Sequence, residues 1–350
     1  MGQHKRPIAA VAYALGSAAL FGLSTPFAKM LLGDVSPWLL AGLFYLASGL
    51  GLGAIRLFRR SGEAQLSRGD VPWLGAAIFA GGICGPVLLM FGLTVTPASQ
   101  AALLLNLESV LTLFIAWIVF KENVDLRLFI GAAAIVAGAV ILSWPGKIDT
   151  DWGWGPVLIA GACLAWAIDN NLTRKVSSAD PVQVSMLKGL VAGSANVAIA
   201  LVLGAAFPSV ALLAGAAVVG FLGYGISLVL FVFGLRHLGT ARTGAYYSLA
   251  PFIGAGAAIA FLGESVTTTF IIGGILMAVG LWMHLTERHL HIHDHEPLEH
   301  EHAHVHDAHH QHSHAEPVGA EPHSHPHKHG RLSHGHAHYP DLHHRHPHPH

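Results

Sequence analysis

The sequence predicts an all-α integral membrane protein of about ten transmembrane helices, arranged as two inverted five-helix repeats and followed by a disordered tail. Three observations predict it: an apolar composition with few charges, regularly spaced apolar runs, and a self-match between the two halves of the chain. The chain has 350 residues, of which 53% are hydrophobic and only 11% charged, and its mean hydropathy is +0.52. A soluble domain carries about a quarter charged residues. A chain this apolar cannot hide its side chains in one core, so lipid must be its solvent. Basic residues stand singly at the ends of apolar runs, so no nucleic-acid partner is expected.

A helix needs about 20 mostly apolar residues to cross about 30 Å of hydrocarbon. Runs of that kind fall near 8–32, 37–57, 72–93, 99–120, 126–144, 154–173, 182–206, 210–235, 241–262 and 266–286. They must be helices, because the bilayer core offers no water to satisfy an open backbone, and they lack the polar–apolar alternation of barrel strands. The first run follows Lys5 and Arg6 like a signal peptide, but it is too long for one and further spans follow. With the N-terminus in the cytoplasm, Arg56, Arg59, Arg60, Lys121, Arg127, Arg174, Lys175, Arg236 and Arg288 all fall on the cytoplasmic side, and Lys147 falls outside. This positive-inside pattern predicts a multi-pass protein of the cytoplasmic membrane with both termini cytoplasmic.

Sliding the chain by 142 residues lays its halves over one another. Phe91-Gly92-Leu93 falls on Phe233-Gly234-Leu235, Glu122 on Glu264, Gly131 on Gly273 and Gly138 on Gly280. Gly16 to Lys29 resembles Gly161 to Arg174 at a slightly different offset. The units read as 8–144 and 154–286, each with an odd number of spans, so the second copy enters the membrane from the opposite side. Inverted repeats with a site near the midplane are an architecture of secondary transporters.

The segment Phe91 to Trp144 and its second copy, Gly234 to Trp282, resemble the EamA unit of the drug/metabolite transporter superfamily: a small-residue helix, a Gly/Lys-Glu turn, then a Gly-Ala-rich helix. The resemblance covers about 8–286 and implies a ten-helix carrier that moves small metabolites or drugs, usually outward, without an ATP site. The family often has proline where Glu108 or Ser109 stands here, whereas the second copy keeps Pro251.

Candidate site residues are the polar groups inside spans. Glu108, with Asn106 beside it, is an intramembrane acid suited to contact substrate or couple a proton. Asp169-Asn170 on span six can pair with Lys188 on span seven, as a binding group or as a structural neutralisation. Tyr246-Tyr247-Ser248 precedes Pro251, which breaks a helix and frees backbone groups. Lys29 is expected to snorkel to the interface. Cys84 and Cys163 lie within apolar runs, too few for a disulfide framework. With no H-E-x-x-H, G-x-S-x-G or P-loop, the chain is not expected to be an enzyme, and no cofactor is required.

The tail, 289–350, is a separate cytoplasmic unit dominated by His-x-His steps. They are His291, His293 and His295; His300, His302, His304 and His306; His323, His325, His327 and His329; and His334, His336 and His338. Neutral imidazoles at this density suit Zn, Ni or Co. With few apolar residues and several prolines, the tail is expected to be disordered without metal. Three functions compete: export of a small metabolite or drug-like solute by alternating access, export of divalent metal captured by the tail, and a membrane-tethered metal buffer or sensor.

Overall fold

The computed structural model describes residues 6–58, 66–120, 126–144, 153–173, 176, 180–238, 240–286, 290–295, 298–304, 323–329 and 332–337. The first half runs α1 (Arg6–Leu31), α2 (Pro37–Phe58), α3 (Val71–Ala77), α4 (Gly85–Val95), α5 (Ala98–Leu104), α6 (Leu107–Phe120) and α7 (Leu126–Ser143). The second runs α8 (Trp154–Thr173), α9 (Pro181–Val202), α10 (Val210–Gly220), α11 (Ser227–Leu238), α12 (Thr240–Tyr247), α13 (Ala250–Leu262) and α14 (Thr268–Leu285).

Among the described residues, eight of these helices or end-to-end pairs are long and apolar enough to cross a membrane, and α8 and the α12–α13 pair fill the two places the repeat leaves. Seven are single apolar rods or pairs joined end to end, and they include α1, α2, α7, α9 and α14; an eighth is the α5–α6 pair. Asp169, Asn170 and Asn171 lower the hydropathy of α8, which is nevertheless long enough to span at 20 residues. In the remaining crossing, α12 continues into the short apolar helix α13.

Both halves repeat two irregularities. The third span of each passes through a π-helical segment, Ile78–Cys84 between α3 and α4 and Phe221–Ile226 between α10 and α11. The fourth span of each is broken, between Leu104 and Leu107 and between Tyr247 and Ala250. The sequence leads one to expect a break only in the second half, where Pro251 sits at the start of α13. In the first half Asn106 and Ser109 replace the proline. The Asn106 amide donates to the Leu103 carbonyl (2.8 Å), and the Ser109 hydroxyl donates to the Asn106 carbonyl (2.8 Å). Side chains that compete for backbone groups in this way interrupt the helical ladder without a ring.

The halves pack mainly on each other: α2 on α9, α7 on α14, α4 on α8, and α1 on α11 and α13. The α7–α14 seam shows how they are related. A Cβ on Gly131 would stand 2.8 Å from the Gly280 carbonyl oxygen, and one on Gly138 would stand 2.7 Å from that of Gly273. Gly131 and Gly273 are equivalent in the repeat, as are Gly138 and Gly280, so equivalent residues meet crosswise. Only an antiparallel pairing about a two-fold axis does this, and it makes the repeat inverted. Gly49 and Gly189 bring the backbones of α2 and α9 into similar contact. In lipid, where apolar burial gives helices no reason to associate, such close approach is what holds them together.

In the tail, Leu290–His295 pairs antiparallel with Leu332–Ala337, and Leu298–His304 pairs with His323–His329. His306 and His338 lie outside the described residues, as do Arg174, Lys175 and the charged loop residues Arg59, Arg60, Lys121, Glu122 and Lys147.

Candidate functional site

Polar side chains from both halves gather where α6 meets α8 and α9. Glu108 lies one residue into α6, just past the break. The Asn170 amide of α8 donates to Glu108 Oε1 at 2.8 Å. Asp169, buried on the same helix, accepts from the Lys188 ammonium of α9 through both oxygens at 2.6 and 2.7 Å. Thr173 completes this knot, donating to Asp169 Oδ1 (2.8 Å) and accepting from Lys188 (3.2 Å). Asp169 is thereby neutralised. Glu108 forms no ion pair among the described residues, and its side chain is only half-buried. The predicted Asp169–Lys188 pair is present, and so is a Glu108–Asn170 bond that sequence spacing could not foretell.

The π segment of span three shapes this region. A π turn leaves carbonyls without their usual helical partner. Gly81 O accepts from the Tyr45 hydroxyl and from Trp166 Nε1, each at 2.9 Å, and Gly82 O accepts from the Asn196 amide at 3.1 Å. Three neighbouring spans thus supply the missing donors. Gly81 also gives Asp169 its room: a Cβ there would stand 2.0 Å from Asp169 Oδ2.

An aromatic chain crosses between the halves beside this cluster. Tyr45 and Tyr224 have ring centroids 5.5 Å apart, Phe21 packs on Tyr224 and Tyr247 at 5.7 Å each, and Tyr247 meets Phe231 at 4.8 Å.

The remaining sequence candidates fall as follows. Asn106 is buried and its amide goes to Leu103, so it shapes the break and does not join Glu108. Tyr246 and Ser248 are half-buried at the end of α12, with the Ser248 amide bonded to the Gly244 carbonyl at 2.9 Å. Pro251 is half-buried in the first turn of α13. Lys29 reaches the end of the neighbouring span. Its ammonium donates to the carbonyls of Leu93, Thr94 (3.2 Å) and Thr96 (3.0 Å), at the end of α4. The carbonyls that a helix leaves open at its C-terminus attract a cation. Among residues with described side chains no cluster of three or more His, Cys, Asp or Glu is placed to hold a metal ion. Both cysteines are free thiols. Sequence reasoning missed Tyr45, Trp166, Asn196 and Tyr224. The one available signal was hydrogen-bonding side chains in mid-span, away from the interfacial belt where tyrosine and tryptophan collect.

A helical bundle of inverted halves, with paired and unpaired ionisable groups at the seam, defines a membrane carrier. The EamA-like transporter family profile matches twice, over residues 8–144 and 153–286, and the chain belongs to that family. It is 27% identical over 281 residues to an uncharacterized transporter of Methanothermobacter thermautotrophicus, covering 75% of this chain and 82% of that one. It is 26% identical over 208 residues to a probable amino-acid metabolite efflux pump of Salmonella typhimurium, covering 54% and 68% respectively. A protein crystal structure shares the fold with a TM-score of 0.59 at 18% identity, over 78% of this chain and 97% of the other.

Proposed function

We propose that this transporter is a secondary carrier of the cytoplasmic membrane that exports a small metabolite or drug-like solute bearing an ammonium group, by alternating access. The observation that carries the reading is the pairing of ionisable groups at the seam. Asp169 is bound by Lys188, while Glu108 has no cationic partner among the described residues and takes the neutral Asn170 amide instead. A carboxylate held in a membrane span is costly unless function requires it. Aromatic faces within reach add the attraction that rings offer to organic cations. The relative described as an amino-acid metabolite efflux pump supports a solute of this chemistry. The positive-inside pattern supports cytoplasmic termini, and with them a site reached from the cytoplasmic half.

The test is Glu108→Gln in purified full-length protein reconstituted in vesicles, with amine-bearing metabolites as substrates. Flux should fall by about tenfold or more while the protein stays folded, as expected when one charged contact is removed from a binding step. Unchanged flux of every such substrate would remove Glu108 from the site.

The tail is a second matter. We propose that its histidines bind Zn, Ni or Co near the membrane surface. The His-x-His spacing supports this reading. It adds to solute export and does not replace it.

A further inference from the structure

The face opposite the chain termini is held shut by two charged residues that the carrier reading leaves unused. The link Leu93–Ser99 joins α4 to α5 on that face. At its start, the Lys29 ammonium of α1 binds the carbonyls of Leu93, Thr94 and Thr96. At its other end, the Glu264 carboxylate, just past α13, accepts from the Ala98 amide at 2.7 Å and from the Ser99 amide at 2.8 Å. A cation thus sits on a helix C-terminus and an anion on the next helix N-terminus, each placed as the backbone dipoles favour. The cation comes from the first half of the chain and the anion from the second.

The helices beneath this double contact are closed on each other. α5 packs against α13. A Cβ on Gly254 would stand 2.7 Å from the Gly22 carbonyl oxygen and 3.2 Å from the Ala102 Cβ, and Phe27 stacks on Phe261 at 6.0 Å. At the terminal face the repeat-related partners, α6 and α12, are not among the packed pairs of described residues. Among the described residues the two faces of the bundle therefore differ in how closely these equivalent helices pack.

We propose that Lys29 and Glu264 are the gate residues of the far face: Lys29 fixes the start of the Leu93–Ser99 link to α1 of its own half, Glu264 ties its end to the second half, and these contacts must let go before solute can leave on that side. The proposal rests on the carrier reading for its purpose, but the clamp is read out separately. Neither residue lies in the Glu108 cluster, so the clamp sets which face is open and not what is bound.

The experiment uses the full chain in vesicles with a reporter pair, Phe27→Cys/Phe261→Cys, in a Cys84→Ser/Cys163→Ala background. A short thiol-reactive bridge should link the pair readily in the parental protein and stop flux, which cleaving the bridge restores. Glu264→Gln and Lys29→Gln should each slow the cross-linking by about fivefold or more, because the sealed state loses population when contacts made only in it are removed. If Glu264→Gln elutes aggregated, Glu264→Asp, which keeps the charge but shortens the reach, replaces it with the same expectation. Cross-linking as fast in the folded variants as in the parent overturns the clamp. Slowed cross-linking in a protein that moves no amine-bearing solute leaves the clamp standing and overturns the substrate reading instead.

Discussion

Asp169 owes its position to a residue with no side chain. Gly81 leaves the space that the Asp169 carboxylate fills, and its carbonyl is held by Tyr45 and Trp166, so the π segment cannot easily retreat. Gly81→Ala should displace the Asp169–Lys188 pair. Overpacking a seat of this kind costs about 1–3 kcal/mol, and a lower unfolding temperature in detergent, together with lost flux, would show it. Flux and stability equal to the parent would mean the seat is not tight. At this scale the sequence was a partial guide. Glu108, Asp169 and Lys188 stood out because charge inside a span is rare. Gly81 looked like every other glycine, because its importance comes from a neighbour 88 positions away in the chain that only the fold brings close. The partners of Lys29 were hidden too, because backbone carbonyls carry no sequence signature.

Among the elements, the seam of α7 and α14 is set by backbone contact. Gly138→Leu would place a Cβ 2.7 Å from the Gly273 carbonyl oxygen and 2.8 Å from Met277 Cγ, so the helices must part. A loss of about 1–3 kcal/mol or more is expected from such overpacking, measured as a drop in thermal stability. Gly75→Leu is the control, since nothing lies within 4 Å of a Cβ there. Equal effects of the two substitutions would contradict the seam. Span positions were legible in the sequence from hydropathy, and the α12–α13 break from Pro251. The α5–α6 break was not, because Asn106 and Ser109 interrupt the helix through local hydrogen bonds that proline statistics do not capture. The π segments were invisible for a simpler reason: Ile78–Cys84 and Phe221–Ile226 are as apolar and glycine-rich as the helices around them.

For the whole molecule, the helical body and the histidine tail differ in composition, the one apolar and the other built on His-x-His steps. Deleting 289–350 should leave amine flux unchanged in vesicles while abolishing retention of Zn, Ni or Co by the purified protein, read by metal analysis after gel filtration. Loss of flux, or metal retained by the truncated protein, would contradict the separation. The body has a structural consequence of its own. The seams named above join one copy of the repeat to the other. The molecule is therefore put together as a tethered pair of oppositely inserted subunits. The tether supplies proximity, raising the effective concentration of each copy around the other. Two half-chains produced side by side would carry the α2–α9 and α7–α14 contact surfaces between them.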